Sequence, residues 1–329
     1  MQNNTPLISI VIPVFNREIY IQDCIKSCVE QTYSNIEIIV LDNCSDDSTF
    51  NNASNLSKEY DNIFVYKQES NVGPVINWLD AIKKAKGDYI KILFSDDILY
   101  PQFISETFSK LTSDIGFVIS SFDMGENIDN TVTQNDWPYI NGLVDSNKYI
   151  DYAIKKFAFC VSPGAALFRT RDVLDVFEVE IPSPVLNNFK AHGAGPDLLI
   201  FLKIASKYKS IYKIEAALTF FRFHKNSQTI KMNKSKNGLI QSCYMQTRVY
   251  FSENFNKKMF GNALGKALFV ELFQNKNKKA ININFLVSLY TTNNNFSYVD
   301  LLNGFIIAIK DACQEILNRI NLTIRKQFK

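Results

Sequence analysis

The 329-residue sequence lacks several features that would assign it to a common functional class. Its six cysteines include no C-x-x-C pair and no paired spacing typical of a metal site. No run of 18 uncharged apolar residues occurs, although a transmembrane helix would need one. The opening residues, MQNNTP, lack the basic and apolar regions of an export signal. These absences predict reduced thiols in a cytosolic protein without a membrane-spanning segment.

Glycine-rich phosphate-binding loops are absent as well. Neither G-x-G-x-x-G nor G-x-x-x-x-G-K-[ST] occurs in the sequence, which excludes dinucleotide dehydrogenases and P-loop enzymes that use these motifs. A phosphate ligand would therefore be held by side chains and a metal ion. The composition, with 46% hydrophobic and 21% charged residues, is that of a folded globular chain.

Charge is unevenly distributed along the chain. Residues 1–230 contain 21 Lys and Arg against 28 Asp and Glu, whereas residues 231–329 contain 15 against 5. The two parts therefore carry net charges of −7 and +10. This asymmetry predicts an acidic body that uses a cation and a basic tail that meets an anionic surface.

Short apolar, β-branched runs alternate with helical stripes over the first hundred residues, which predicts a doubly wound, mostly parallel sheet. The four runs are Ile8–Asn16, Ile36–Asn43, Ile63–Gln68 and Tyr89–Phe94. Further strands are predicted at Ile115–Ser121, Gly164–Arg169 and Ile211–Phe223. We expect a polar loop at Asp123–Gly142 and helices from about Gly238 to the end.

Three polar clusters follow the predicted strands, and ligands bind beyond the carboxyl ends of strands in open parallel sheets. The clusters are Phe15-Asn16, the segment Asp42–Asp47, and Ser95-Asp96-Asp97. Adjacent carboxylates repel each other unless a cation or hydrogen bonds offset the repulsion, so the third cluster is a candidate metal site. A helix N-cap or a turn is the structural alternative for these aspartates.

Three segments, ISIVIPVFNRE, IEIIVLDNCSDDST and NVGPVINWLDAIKKAKGDYIKILFSDD, resemble the successive signatures of the inverting family-2 glycosyltransferases, which have the GT-A fold. The resemblance is strong over Leu7–Pro101 and weaker to about Thr229. It implies a Rossmann-like GT-A catalytic domain over residues 1–230, with a nucleotide-binding half to about residue 100 and an acceptor half beyond it. Residues 231–329 would form a basic, helical C-terminal extension.

The resemblance implies roles for residues at the first two strand ends. Pro13, Phe15 and Asn16 match the segment that borders the nucleotide base. Asp42 matches the aspartate that accepts a hydrogen bond from a ring nitrogen of uracil or thymine. The sequence departs from the common pattern after this residue, since Asn43-Cys44 replaces Asp-Gly.

The resemblance also implies a metal site. Asp96 would face the ribose or diphosphate, and Asp97 would hold Mg²⁺ or Mn²⁺. His224, in an Arg-x-His segment, would complete the site, although a lone histidine is more often an ordinary surface or core residue. Phe94 stands where many relatives have a further aspartate.

A later motif, Gly195-Pro196-Asp197-Leu198-Leu199, resembles the family segment whose aspartate is the general base. A carboxylate at a helix start is stabilised by free backbone N–H groups and held rigidly, which suits that role. The alternative is an ordinary aspartate in the first turn of a helix. We expect Asp197 to be the base.

The basic tail combines apolar positions with Lys310, Arg319, Arg325 and Lys326. A basic amphipathic helix can lie on an anionic membrane leaflet, but it can equally pack on the catalytic domain with its charges in water. No nucleic-acid-binding module accompanies the charge, so a nucleic-acid partner is not expected. The protein is expected in the cytoplasm, peripheral on the inner face of the membrane if the tail binds lipid.

The resemblance, together with these features, implies an inverting transferase. It would move a sugar from a nucleoside diphosphate donor, with UDP as the favoured nucleotide, to an acceptor hydroxyl. By resemblance, the acceptor would be a glycan or lipid-linked glycan of a bacterial surface polysaccharide such as O-antigen or capsule. Two other readings remain open: a nucleotidyltransferase, and a catalytically silent module that binds sugar nucleotides or glycans.

Overall fold

One large mixed sheet lies at the centre of the protein. The computed structural model describes residues 5–134, 141–156, 161–184, 189–224, 227, 239–274, 287–292 and 296–327. The strands within these residues are β1 Ile8–Val14, β2 Ile36–Asp42, β3 Ile63–Lys67, β4 Tyr89–Ile92, β5 Ile98–Leu99, β6 Ile115–Asn127, β7 Asn130–Gln134, β8 Gly142–Asp145, β9 Ala166–Arg169 and β10 Ser210–Arg222.

Helices cover the sheet and continue beyond it. They are α1 Ile21–Val29, α2 Thr49–Leu56, α3 Pro74–Lys83, α4 Phe103–Lys110, α5 Ser146–Lys155, α6 Thr170–Val176, α7 Pro196–Lys207, α8 Leu239–Phe255, α9 Phe260–Gln274 and α10 Tyr298–Gln327. The α/β alternation of the first half and the helical character of the last part confirm the predicted fold class.

The sheet has the strand order β3-β2-β1-β4-β9-β6-β10-β5. Parallel pairing joins β3, β2, β1 and β4, and again β6 and β10. Strand β9 lies between these two parallel groups and is antiparallel to both neighbours. The sheet is thus mostly parallel, and its strands β1 and β2 are buried at every position, as their largely apolar sequences predict.

The expectation of a loop over Asp123–Gly142 is wrong for part of this segment. Strand β6 continues to Asn127 and turns back through β7, with Phe122 paired to Gln134. Every residue of β7 is at least partly exposed. A strand at the edge of a sheet needs no apolar side chains to be hydrogen-bonded, so its polar composition resembles that of a loop.

Helices α8 and α9 pack in the same hydrophobic cluster as the sheet. Phe251 of α8 and Leu264 of α9 are buried in this cluster together with Phe117 of β6 and Phe201 of α7. The expected domain boundary at residues 230–231 lies outside the described residues. No helix in the described ranges is both long enough and apolar enough to span a membrane.

Helix α10 approaches α9 closely through glycines. A Cβ atom on Gly265 would clash with the backbone carbonyl oxygen of Leu301, and one on Gly304 would clash with that of Asn262. No side chain fits at either position unless the helices separate.

We therefore predict that Gly265→Ala lowers the free energy of unfolding by about 1–3 kcal/mol, because it overpacks this contact. An unconstrained helix glycine would instead gain about 1 kcal/mol from the same change. Urea denaturation measures the effect, with Asn254→Ala at an exposed position of α8 as the control. An unchanged or raised midpoint for Gly265→Ala would contradict the close packing of α10.

Candidate active site

The polar segments that follow β1, β2 and β4 are joined by direct contacts. The backbone N–H of Asn16 donates to Ser45 Oγ at 2.9 Å, and Asp46 N–H donates to Asn16 Oδ1 at 3.2 Å. Arg17 Nε lies 3.6 Å from Asp96 Oδ2. Asn16 has a positive φ of 51°, a conformation that asparagine adopts more readily than most residues. The three strand ends therefore form one polar rim.

Asp42, at the end of β2, is completely buried. Ser45 donates to it twice, from its backbone N–H at 2.9 Å and from its hydroxyl. Lys67 Nζ lies 3.9 Å from Asp42 Oδ2. Pro13 is buried opposite Leu41 in the sheet, whereas the Phe15 ring, just beyond β1, is 39% exposed. The first strand end thus presents an aromatic surface close to a fixed carboxylate.

Asp97 links the end of β4 to the end of β10. The backbone N–H of Arg222 donates to Asp97 Oδ1 at 3.0 Å. Burial raises the pKa of Asp97 well above its ordinary value, and the charge of Asp96 raises it further. The carboxylate form of Asp97 is therefore poorly stabilised by the protein alone.

Asp96 is in the opposite situation. Burial acts to raise its pKa, but the hydrogen bond with His224 and the charge of Arg17 outweigh this, and the pKa is lowered. The contact joins Asp96 Oδ2 to His224 Nε2 at 2.8 Å. Arg222 Nε donates to the backbone carbonyl of Asp96 at 3.1 Å. Asp96 is therefore an anion held by cationic and hydrogen-bonding partners.

The donor atoms present fit a divalent cation. Metal-binding histidines commonly donate their other ring N–H to a carboxylate; donation from Nε2 to Asp96 would leave a lone pair on Nδ1, which is buried and has no hydrogen-bond partner. Carboxylate oxygens suit Mg²⁺ and Mn²⁺. No group of three potential ligands from His, Cys, Asp and Glu occurs in the described part of the chain. An ion held by Asp97 and His224 would therefore need ligands beyond the described His, Cys, Asp and Glu side chains.

Lys91 carries a buried amine near Asp97 that the motifs do not identify. Its Nζ donates to the carbonyl of Gly164 and lies 4.0 Å from the centre of the Phe103 ring. Burial lowers the pKa of Lys91 well below its usual value, while the charge of Asp97 opposes this. The signal in the sequence was a single lysine within the apolar run YIKILF.

Asp197 is buried at the start of α7. Its Oδ1 accepts hydrogen bonds from the backbone N–H groups of Gly195 at 2.8 Å and Leu198 at 2.7 Å. Its Oδ2 accepts one from the Tyr244 hydroxyl at 2.7 Å. Burial nevertheless raises the pKa of Asp197 to about 6. A carboxylate with this pKa is poised to accept a proton near neutral pH.

His192 and Cys243 lie beside Asp197, with Cys243 Sγ 3.6 Å from His192 Nε2. Burial raises the pKa of the Cys243 thiol to about 12 and lowers the pKa of His192. Because only a thiolate is strongly nucleophilic, this pair does not supply a nucleophile near neutral pH. Asp197 remains the reactive group of this cluster.

The loop before α7, here called the Asp197 loop, packs against the N-terminal part of the chain through Trp78. A Cβ on Gly193, whose φ is +73°, would lie 2.7 Å from Trp78 Cη2. The Trp78 ring is 5.1 Å from that of Phe94, which directly precedes Ser95-Asp96-Asp97. Two contacts thus connect the Asp197 loop with the acidic pair.

The fold resembles solved structures of TarS from S. aureus. The structure of TarS residues 1–349 in complex with UDP-GlcNAc matches with a TM-score of 0.57 and 18% identity, over 82% of this chain and 74% of that chain. The complex with UDP matches with a TM-score of 0.52 and 18% identity, over 92% and 88% of the two chains.

Several curated relatives match over less than a third of this chain. An uncharacterized glycosyltransferase of Haemophilus influenzae is 38% identical over 96 residues, 29% of this chain and 38% of its own. A poly(ribitol-phosphate) beta-glucosyltransferase of Bacillus spizizenii is 43% identical over 95 residues, 28% of this chain and 15% of its own. A putative teichuronic acid biosynthesis glycosyltransferase, TuaG of Bacillus subtilis, is 34% identical over 97 residues, 30% of this chain and 38% of its own. The chain spans less than two fifths of the length of these relatives.

The family model described as "Glycosyl transferase family 2" matches residues 9–177, just over half of the chain. This region includes the three joined strand ends and the acidic pair. The inverting mechanism follows from the family. The chain is a member of glycosyltransferase family 2 with the GT-A fold.

Proposed function

We propose that the protein transfers a sugar from a UDP-sugar to an acceptor hydroxyl of a bacterial surface polysaccharide. The observation that carries the proposal is Asp197, a rigidly held carboxylate with a pKa of about 6, connected through Trp78 to the acidic pair. The names of the relatives support the acceptor class, since they include a poly(ribitol-phosphate) glucosyltransferase and a teichuronic acid enzyme. A glycan or lipid-linked glycan is accordingly the proposed acceptor.

On the donor side, the exposed ring of Phe15 would border the uracil, together with Pro13 near the end of β1 and Asn16 just after it. Asp42 would accept the hydrogen bond of the ring N–H. Each carboxylate oxygen can accept two hydrogen bonds, so Asp42 keeps acceptor capacity beyond its two contacts with Ser45. The complexes of TarS with UDP and UDP-GlcNAc support a uridine donor.

At the diphosphate, Asp97 and His224 would hold Mg²⁺ or Mn²⁺, and Asp96 would hold His224 in place. The ion would neutralise negative charge on the leaving diphosphate when bound. Arg17 and Arg222, which already contact Asp96, add positive charge to the same region.

The transfer itself is one displacement. Asp197 removes the proton of the acceptor hydroxyl while that oxygen forms a bond to the anomeric carbon. The bond from this carbon to the diphosphate breaks on the opposite face, and the electron pair leaves with UDP. Proton, bond and leaving group balance without a covalent enzyme intermediate, so the configuration at the anomeric carbon is inverted.

A panel of UDP-, dTDP- and GDP-sugars, scored for nucleotide release with and without acceptor, tests the proposal. Acceptor-dependent release of UDP supports it. Binding without release would favour a silent sugar-nucleotide module, and release of pyrophosphate from a nucleoside triphosphate would favour a nucleotidyltransferase.

Asp197→Asn is predicted to lower transfer at least about 100-fold, the range for loss of a general base, while UDP binding measured by calorimetry stays unchanged. Asparagine keeps the shape of the side chain but does not accept the proton. Loss of donor binding in place of turnover would show that Asp197 is a donor ligand.

The same variant reports on folding. The pKa of about 6 for Asp197, against an ordinary 3.8, corresponds to about 3 kcal/mol. Below about pH 3 the group is protonated in the folded and unfolded chains. As the pH rises to 6 the unfolded chain loses its proton first, and wild-type stability falls. Asp197→Asn escapes this loss, so its melting temperature relative to wild type should rise between pH 4 and 7. Asp175→Asn, at an exposed residue paired with Lys207, is the control without such a gain.

Asp97→Asn is predicted to lower activity about 100-fold or more, as expected when stabilisation of the leaving group is removed. The melting temperature should not fall, because burial of the Asp97 charge is unfavourable. Asp114→Asn, at an exposed residue, serves as the control. Full turnover in EDTA, or an active Asp97→Asn enzyme, would refute the metal assignment.

For the basic tail we propose contact with an anionic membrane. Helix α10 exposes an apolar stripe on the face opposite its buried Gly304 and Ala308, with members at helical spacing: Tyr298, Val299, Leu302, Ile306 and Ile309. The last part of the chain carries 15 basic and 5 acidic residues. Apolar burial and attraction to anionic lipid act together in such a helix.

We predict that the protein sediments with phosphatidylglycerol vesicles at low salt and is released as salt screens the charges. Replacing Leu302, Ile306 and Ile309 together by Asn should abolish sedimentation while the melting temperature and transfer to a water-soluble acceptor persist. The matched control replaces Ile128, Val132 and Leu143, which are exposed outside α10, and should still sediment. Equal sedimentation of the α10 variant and wild type would overturn this role.

A further inference from the structure

The C-terminal helical part of the chain supplies a hydroxyl to the carboxylate at the start of α7. Tyr244, in the second turn of α8, donates from its hydroxyl to Asp197 Oδ2 at 2.7 Å. This contact joins residues 47 positions apart. It lies outside residues 9–177, the region matched by the family model.

The two oxygens of Asp197 differ in what holds them. Oδ1 accepts two backbone N–H groups, from Gly195 and Leu198, and backbone donors at a helix start cannot turn away. Oδ2 accepts the Tyr244 hydroxyl, and a hydroxyl can rotate to become an acceptor. A proton arriving at Asp197 is therefore accommodated at Oδ2, where the partner can change from donor to acceptor.

We propose that Tyr244 is a positioning residue for the general base: it holds Asp197 Oδ2 toward the acceptor hydroxyl and stabilises its charged form until the proton is taken. This inference rests on the proposed role of Asp197. In the step, the acceptor O–H bond breaks and the Oδ2–H bond forms. Tyr244 keeps its own proton throughout.

Other groups around Asp197 do not substitute for this hydroxyl. The charge of Arg248, also on α8, lowers the pKa of Asp197 as well. Its effect is smaller than that of the Tyr244 hydrogen bond and those of the two backbone hydrogen bonds. Cys243 carries a thiol whose pKa is raised to about 12, and burial lowers the pKa of His192. Both are therefore neutral near pH 7, and neither provides the charge-stabilising hydrogen bond that Tyr244 makes.

The test is the pH dependence of kcat for Tyr244→Phe in the full-length enzyme with UDP-sugar and acceptor. On the acid side of the profile of kcat against pH, activity falls as Asp197 becomes protonated; this is the acid limb. Loss of the hydrogen bond should move this limb to higher pH by roughly one pH unit. Turnover relative to wild type should then fall roughly fivefold more at pH 6 than at pH 8.5, with an unchanged KM for the donor. A purely structural role would lower kcat by the same factor at both pH values.

Tyr250→Phe is the matched control. Tyr250 lies on the same helix and donates its hydroxyl to Glu178 at 2.9 Å, so the same chemical change there should leave the acid limb in place. Incorporation of 3,5-difluorotyrosine at position 244 tests the proposal without removing the hydroxyl. Its more acidic O–H donates a stronger hydrogen bond, and the acid limb should move to lower pH.

Asp197→Asn distinguishes failure of the proposed function from failure of the positioning role of Tyr244. If this variant retains wild-type turnover, Asp197 is not the base and the proposed function fails. If Asp197→Asn is inactive but neither change at Tyr244 moves the acid limb, the base stands and the positioning role of Tyr244 is overturned.

Discussion

Two adjacent carboxylates, Asp96 and Asp97, are held largely out of water just after β4, and the surrounding residues have to offset their mutual repulsion. Asp96 is stabilised as an anion by His224 and Arg17. Asp97 accepts a backbone N–H of β10, and burial next to Asp96 still raises its pKa. The contact with Arg222 lies next to the point where β5, which directly follows Asp97, pairs with β10. The electrostatic strain is confined to Asp97, where an added cation would relieve it.

At Asp197, as at Asp97, burial raises the pKa of a carboxylate while hydrogen-bond donors oppose the rise. Three hydrogen bonds reach its carboxylate, yet burial still raises the pKa to about 6. A surface aspartate would be a weaker base, and a buried one without donors would remain protonated at neutral pH. The balance between desolvation and donated hydrogen bonds gives a carboxylate that is charged near pH 7 and still accepts a proton. The Tyr244 hydrogen bond, which contributes to this balance, comes from α8. Helix α8 is therefore part of the surroundings of Asp197.

Local patterns in the sequence were sufficient to predict the parallel strands of the first half of the chain and the polar rim at their ends. Buried parallel strands must be apolar, and ligand-facing residues must follow them, so both leave a signal in neighbouring residues. The β7 hairpin left none, because an exposed edge strand has loop-like composition. Lys91 and Tyr244 were also missed, since a buried amine or a hydroxyl acquires its role from residues far away in the chain. The motif placed Asp197 at a helix start, but only the three-dimensional packing shows which hydroxyl meets it.

The contact between Gly193 and Trp78 has a consequence for engineering donor and acceptor choice. Exchanging the N-terminal part of this chain for that of another family-2 enzyme would treat the two parts as interchangeable modules. Here the loop that precedes α7 is seated on the indole ring, and a Cβ at position 193 would lie 2.7 Å from it. An N-terminal part with a differently shaped residue in place of Trp78 would displace this loop and, with it, the start of α7 that carries Asp197. An exchange that keeps the Asp197 loop in place therefore has to preserve Trp78 and Gly193 together.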